Sequence, residues 1–263
     1  MRVDFWAIAS CSEVDYADGV GDDRQALDVA NLSATRGGRR VLDRVSFAAH
    51  AGEVLAIVGP NGAGKTTLLE AIVGLVPSTS TRFTARGEVI DAFARRARTF
   101  AYMPDDARLP EEVSVRTLLA PWLHESGSAP GYGRRLGVDD LLDRRSAELS
   151  RGEAKRVWLA LTLSLARPIL VLDEPFGAFD PLQLDAILDV VRDCARAGAT
   201  VLASVHQMST AERIADRIVL LADGRSVANG TLAELRALAG GEMTSFEDVF
   251  RRLLSDGANR AAT

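Results

Sequence analysis

From residue 26 onward, short apolar runs alternate with turn residues. Leu27-Asp28-Val29, Val41-Leu42 and Val45-Ser46-Phe47-Ala48 predict strands of a small antiparallel sheet. Val54-Leu55-Ala56-Ile57-Val58 has no polar position and predicts a buried strand, after which residues 67–72 begin a helix. Residues 76–90, rich in Ser, Thr, Arg and Gly, predict loop and edge strand, and Thr99-Phe100-Ala101-Tyr102-Met103 predicts a strand ended by Pro104. Residues 111–149 carry Leu118, Leu119, Trp122, Leu141 and Leu142 at helix-like spacing and predict a mainly helical region broken at 127–133. A largely buried helix is expected from about 151 to 166, on Val157, Leu161, Leu165, Leu159 and Leu163.

Three more apolar runs, 169–172, 200–205 and 217–221, alternate with helices near 181–197 and 209–215. Strands that are apolar on both faces and separated by helices predict a parallel sheet covered on both sides. In the tail, Thr231-x-x-Glu234 and Thr244-x-x-Glu247 match a capping box. Phe246, Val249, Phe250, Leu253 and Leu254 form one stripe, expected to pack on the domain.

Composition narrows the function classes. The chain has 263 residues, 47% hydrophobic, and a net charge of −5, so no global basic field marks a nucleic-acid partner. The arginine clusters (Arg95, Arg96, Arg98; Arg134, Arg135; Arg144, Arg145) are expected to be solvated faces. Cys11 and Cys194 are too few for a disulfide framework or a zinc site, which fits a reducing compartment. No stretch approaches the ~20 apolar residues of a membrane span. Residues 1–11 are too short in their apolar part, and interrupted by Asp4, for a signal peptide. The expected location is cytoplasmic. Residues 1–25, acidic around Asp18–Asp23, read as a loosely ordered extension.

The chemistry concentrates after the first buried run. Gly59-Pro60-Asn61-Gly62-Ala63-Gly64-Lys65-Thr66-Thr67 satisfies G-x-x-x-x-G-K-[ST] between a predicted strand and a predicted helix. Its glycines let the backbone wrap a phosphate with N–H groups inward, and the helix N-terminus favours the anion. Lys65 is placed to reach β- and γ-phosphates, and the Thr66 hydroxyl to bind Mg²⁺. The run Ile169-Leu170-Val171-Leu172 ends in Asp173 and Glu174, 108 residues after Lys65. Two acids at a strand end are common alone. Paired with a phosphate loop, Asp173 is a candidate for Mg²⁺ and Glu174 for polarising an attacking water.

Leu149-Ser150-Arg151-Gly152-Glu153 precedes that strand. Here the chain resembles the ATP-binding-cassette (ABC) ATPases, whose motif is Leu-Ser-Gly-Gly-Gln before a helix. Ser150 and Gly152 match; Arg151 and Glu153 depart. The resemblance spans about residues 26–225. It implies an α/β P-loop (RecA-like) core with a mostly parallel sheet, an N-terminal antiparallel β subdomain and a helical subdomain inserted near 106–150. Residues 226–263 then form a C-terminal helical tail. It also places Asp180 as the D-loop acid and His206, 32 residues after Glu174, as the switch histidine. His50 and His124 have no such support and read as surface residues.

Two positions leave the family pattern. Asp105 follows Pro104 where the family has Gln; it is expected to link nucleotide state to the helical subdomain with an altered Mg²⁺ contact. The adenine-stacking aromatic is missing from Ala34-Thr35-Arg36-Gly37-Gly38, and Arg36 is the candidate, since a guanidinium also stacks on a flat π face.

In the family, ATP is sandwiched between the phosphate loop of one subunit and the Ser motif of another. One copy of each motif therefore implies a second cassette, homo- or heterodimeric, and separate integral membrane subunits docked near residues 105–148. The resemblance implies a Mg-dependent ATPase subunit of a transporter, peripheral at the inner face of the membrane. Pro104-Asp105 and Phe246-Glu247-Asp248-Val249-Phe250 look export-type. A soluble, non-transport ABC ATPase is the alternative. Chromosome and repair members carry a coiled-coil insertion that the spacing here is too short to hold.

Overall fold

A computed structural model describes residues 25–90, 92–106, 108–123, 131–241 and 245–261, with side chains to residue 256. Residues 1–24 of the expected N-terminal extension and His124 lie outside the described residues, while Gln25 already belongs to a strand. β1 (Gln25–Arg36) and β2 (Arg39–His50) form a long antiparallel hairpin. β3 (Val54–Val58), buried at every position, leads through the Gly-rich loop to α1 (Lys65–Val73). β4 (Ser78–Thr79) and β5 (Arg82–Ala85) return to pair with β1, and β6 (Glu88–Val89) pairs with β5.

α2 (Phe93–Thr99) and β7 (Phe100–Met103) follow. Residues 104–150 are less helical than their pattern predicts. Among the described residues there, only α3 (Val115–Leu119) and α4 (Tyr132–Arg135) are α-helical, joined by short 3₁₀ turns. α5 (Arg151–Ser164), β8 (Ile169–Leu172), α6 (Pro181–Arg196), β9 (Thr200–Val205), α7 (Met208–Ile214) and β10 (Arg217–Ala222) then alternate. β11 (Arg225–Gly230) pairs antiparallel with β10, so the expected domain boundary at residue 225 falls inside a strand pair. α8 (Leu232–Leu238) and α9 (Phe246–Ala261) close the chain.

The larger sheet runs β11-β10-β3-β9-β8-β7, parallel except at β11. β3 has a hydrophobic layer on each side. Leu55 and Ile57 meet the antiparallel sheet and α1, while Val54, Ala56 and Val58 meet the layer that includes α5 and α6. That two-sided burial is why its sequence carries no polar position.

The tail stripe packs as expected: Phe246, Val249 and Leu253 are buried, with α9 against α7, α8 and β11. Its cap differs. Ser245 Oγ accepts from Asp248 N–H at 3.2 Å, one residue later than Thr244-x-x-Glu247 predicts, while Thr244 lies outside the described residues.

The arginines also need correction. Arg96 is half-buried and donates to the Ala71 and Ile72 carbonyls at 2.7 and 2.6 Å, with its guanidinium 4.6 Å from the Phe83 ring centre. It caps α1, whose last carbonyls have no partner within the helix.

Candidate active site

Parallel strands with aligned C-termini bring distant motifs to one edge. Ile57 pairs with Ser204, and Leu172 with Ala203, so Asp173 falls beside Ser204 one register step on. Ligand sites of open α/β sheets form at this carboxyl edge.

The phosphate loop leaves β3 tightly packed. A Cβ on Gly59 would stand 2.2 Å from the Leu221 carbonyl oxygen, so a side chain there would push the loop off the sheet. Gly64 caps α1 without a side-chain acceptor. The opening amides of the helix, which lack intrahelical partners, are thus left for an anion. The Ala63 carbonyl accepts from Gly224 N–H at 3.1 Å, tying the loop to the β10–β11 turn.

Lys65 is buried, and its Nζ donates to the Gly59 and Pro60 carbonyls at 2.8 and 3.1 Å. Burial holds its pKa below the usual lysine value, against the opposing pull of Glu174 and Asp173. Asn61, Gly62 and Thr66 are exposed; Ala63 and Thr67 are buried.

At the end of β8, Asp173 is buried. Ser204 Oγ donates to Asp173 Oδ1 at 2.6 Å and accepts from Glu174 N–H at 2.7 Å. Glu174 has φ +49°, the left-handed region that non-glycine residues seldom occupy. Its Oε1 lies 2.7 Å from His206 Nε2. The Glu174 carbonyl accepts from Lys155 Nζ at 2.5 Å.

Ser204 and Lys155 are absent from the motif patterns, though each left a signal. Ser204 is a hydroxyl near the end of an apolar run. Lys155 shares one helical stripe with Leu159, Thr162 and Leu163, all buried.

Asp105, expected to contact Mg²⁺, pairs with two cationic side chains. Its Oδ1 lies 2.9 Å from Lys155 Nζ and 3.8 Å from Arg151 Nη2. A buried ammonium demands a counter-charge, and this carboxylate supplies it. The oxygen donors left for a cation are Thr66 and Asp173. One hydroxyl and one carboxylate suit Mg²⁺, which keeps most of its shell as water and phosphate oxygen. Among the described residues no cluster of three His, Cys, Asp or Glu forms a protein-only cage.

Ser150 opens α5 in a full capping box: its Oγ accepts from Glu153 N–H at 3.2 Å, and Glu153 Oε2 accepts from Ser150 N–H at 2.7 Å. Arg144 Nη1 donates to the other Glu153 oxygen at 2.6 Å. The Ser150 amide first, then the Ser150 hydroxyl and Arg144, hold the Glu153 carboxyl below its usual range. Glu in place of the family's Gln is thereby accommodated. Gly152 lets α5 approach the 178–179 turn; a Cβ would sit 3.0 Å from the Ala178 carbonyl oxygen. Asp180 caps α6 through Gln183 N–H at 2.9 Å. Arg36, at the end of β1, is exposed and pairs with Glu70 at 2.9 Å.

The family model described as ABC transporter matches residues 42–177. The chain is 38% identical over 214 residues to a hemin import ATP-binding protein of Streptomyces coelicolor, covering 76% of each. The chain belongs to the ABC transporter family. The cassette is also 36% identical over 212 residues to a cobalamin import ATP-binding protein of Halobacterium salinarum, spanning 76% of this chain but only 53% of that protein's length. A solved ATP-binding subunit of an ABC transporter superposes with a TM-score of 0.78 at 31% identity, over 87% of this cassette and 99% of that chain. A bacterial Atm1-family ABC exporter with ATP bound superposes at 0.74 with 25% identity, over 88% of this cassette and 42% of that chain. No described helix is long and apolar enough to cross a membrane.

Proposed function

We propose that this cassette is the Mg-dependent ATP-hydrolysing subunit of an import-type transporter. The observation that carries the catalytic part is the Glu174–His206 pair at 2.7 Å, set at the strand edge beside the phosphate loop. Lys65 and the loop amides hold the triphosphate. Thr66 and Asp173 hold Mg²⁺, which neutralises phosphate charge when bound. Glu174 polarises the attacking water, and His206 orients that carboxylate and senses the γ-phosphate. Arg36, exposed at the end of β1, stacks on the base. Ser150, Gly152 and Asp180 meet the nucleotide held by a second cassette, either a copy of this chain or a relative.

Import replaces the export-type expectation. Similar curated proteins are named as hemin, cobalamin, phosphonate and thiamine import ATP-binding proteins, and nothing among them supports export. Membrane subunits would dock over a hollow of about 340 Å³ beside Asp105, where Leu109 and Trp158 give apolar wall and Asp106, Arg108 and Arg151 give a charged rim. On this reading the protein sits at the cytoplasmic face of the membrane through its partners.

The test is ATP hydrolysis by the purified chain with and without Mg²⁺, and light scattering of Glu174→Gln with Mg-ATP. Mg-dependent turnover that Glu174→Gln abolishes, with an ATP-dependent dimer, is expected. A chain that neither hydrolyses ATP nor associates on binding it refutes the proposal.

A further inference from the structure

Only 5% of the Lys155 side chain is exposed. A buried ammonium must find its hydrogen-bond partners within the protein. Nζ donates to Asp105 Oδ1 at 2.9 Å and to the Glu174 carbonyl oxygen at 2.5 Å. The turn after Glu174 folds around it; a Cβ on Gly177 would lie 3.4 Å from Nζ. One side chain therefore joins three segments: the loop after β7, the helix that begins at Ser150, and Glu174 in the turn after β8.

The Glu174 peptide is gripped from two sides in its left-handed conformation. Its N–H is held by Ser204, a fully buried member of the central sheet. Its carbonyl is held by Lys155, a member of α5. The first grip belongs to the fixed core and the second to the element that carries the Ser motif. Any displacement of α5 relative to the sheet pulls on that carbonyl. Because φ +49° is sparsely populated, the peptide has neighbouring wells into which it can rotate once released. Rotation there redirects the carboxylate borne on the same Cα.

We propose that Lys155 is a positioning residue for hydrolysis: with Asp105 as counter-charge, it couples the placement of the Ser150 helix to the aim of the Glu174 carboxylate. The inference rests on the ATPase reading above. It also assigns the departure at Asp105 a purpose, since an acid at this place is what a buried lysine at 155 requires.

The experiment is steady-state Mg-ATP hydrolysis by the purified full chain, with kcat and KM resolved. Lys155→Met removes the donor and is expected to lower kcat about 10- to 100-fold while KM changes less than about threefold. The decisive comparison uses two neutralised pairs. Asp105→Asn with Lys155→Gln keeps an amide donor toward the Glu174 carbonyl; Asp105→Asn with Lys155→Met does not. Both lack the ion pair, so a purely structural role would affect them alike. The first is expected to keep a kcat at least about tenfold above the second. Equal kcat in the two double variants overturns the proposal. So does a Lys155→Met enzyme with wild-type kcat, or one whose loss of kcat is matched by loss of binding sites for a fluorescent ATP analogue. If Lys155→Met alone does not fold, the neutral pairs decide. Failure of the underlying reading looks different: wild type without Mg-ATP turnover, or Glu174→Gln as active as wild type, refutes the ATPase assignment itself.

Discussion

Replacing Ser204 with Ala removes one oxygen from the wall between the two acids. That residue is 0% exposed, so no water takes its place without opening the sheet edge. The bond it donates to the Asp173 carboxylate, at 2.6 Å, is charge-assisted and contributes about 1.5–3 kcal/mol. The Glu174 N–H that it accepts at 2.7 Å would lose its partner, at a further cost of about 1–3 kcal/mol. Because both bonds share one atom, they do not simply sum, and a net destabilisation of about 2–4 kcal/mol is expected. For a chain of this size that lowers Tm by about 5–15 °C. Urea unfolding followed by circular dichroism measures the free energy, and a thermal scan the midpoint. Turnover should fall at least about tenfold, since both acids lose the group that orients them. A Ser204→Ala protein within about 0.5 kcal/mol of wild type, with unchanged kcat, would refute the argument that this hydroxyl sets the site.

Arg96→Ala removes the cap of α1 and should cost about 2–4 kcal/mol in urea unfolding, whereas Arg95→Ala, which loses an exposed pair with Glu88 and a 3.4 Å bond to the Val89 carbonyl, should stay within about 1 kcal/mol. Arg36→Ala should weaken ATP binding about fivefold in a fluorescence titration, the loss of roughly 1 kcal/mol of stacking, and Arg36→Tyr should restore it; unchanged affinity in Arg36→Ala removes Arg36 from the base site. Lys65 gives a pH signature. Burial holds its pKa below that of a free lysine, so the free protein loses this proton at a lower pH than an exposed lysine would. An arriving polyanion favours the charged form, so binding should take up protons, and the uptake should grow as the pH rises through the titration of Lys65. Calorimetry in buffers of different ionisation enthalpy detects the uptake, and release of protons would contradict the sign.

The strands that place the site were legible because burial on both faces leaves an unmistakable apolar run, as at Val54–Val58 and Ile169–Leu172. The loop glycines and the paired acids were legible because phosphate chemistry restricts residue type and spacing together. What escaped notice was tertiary. β11 and α2 lack strong periodicity of their own and form because a sheet edge and the end of α1 await them. The region after β7 has leucines at helical spacing, yet it settles into short turns, since Pro, Gly and a 3₁₀-type geometry interrupt each helix before its second turn. Lys155 is unmarked in the sequence, and Asp105 stands out there only as a departure from the family pattern. Their meaning lies in the 2.9 Å between them, across 50 residues of sequence.

Two of the residues proposed to meet a second cassette's nucleotide, Ser150 and Asp180, already serve as helix caps within their own chain. Their side chains are immobilised before any partner arrives, so association surrenders little rotamer freedom at these points. The capping bond also fixes the Ser150 oxygen at the opening of α5. A surface built this way needs no local reordering during encounter. The rate at which two cassettes close should then follow diffusion and orientation, and the lifetime of the closed pair, set by nucleotide, should carry the regulation.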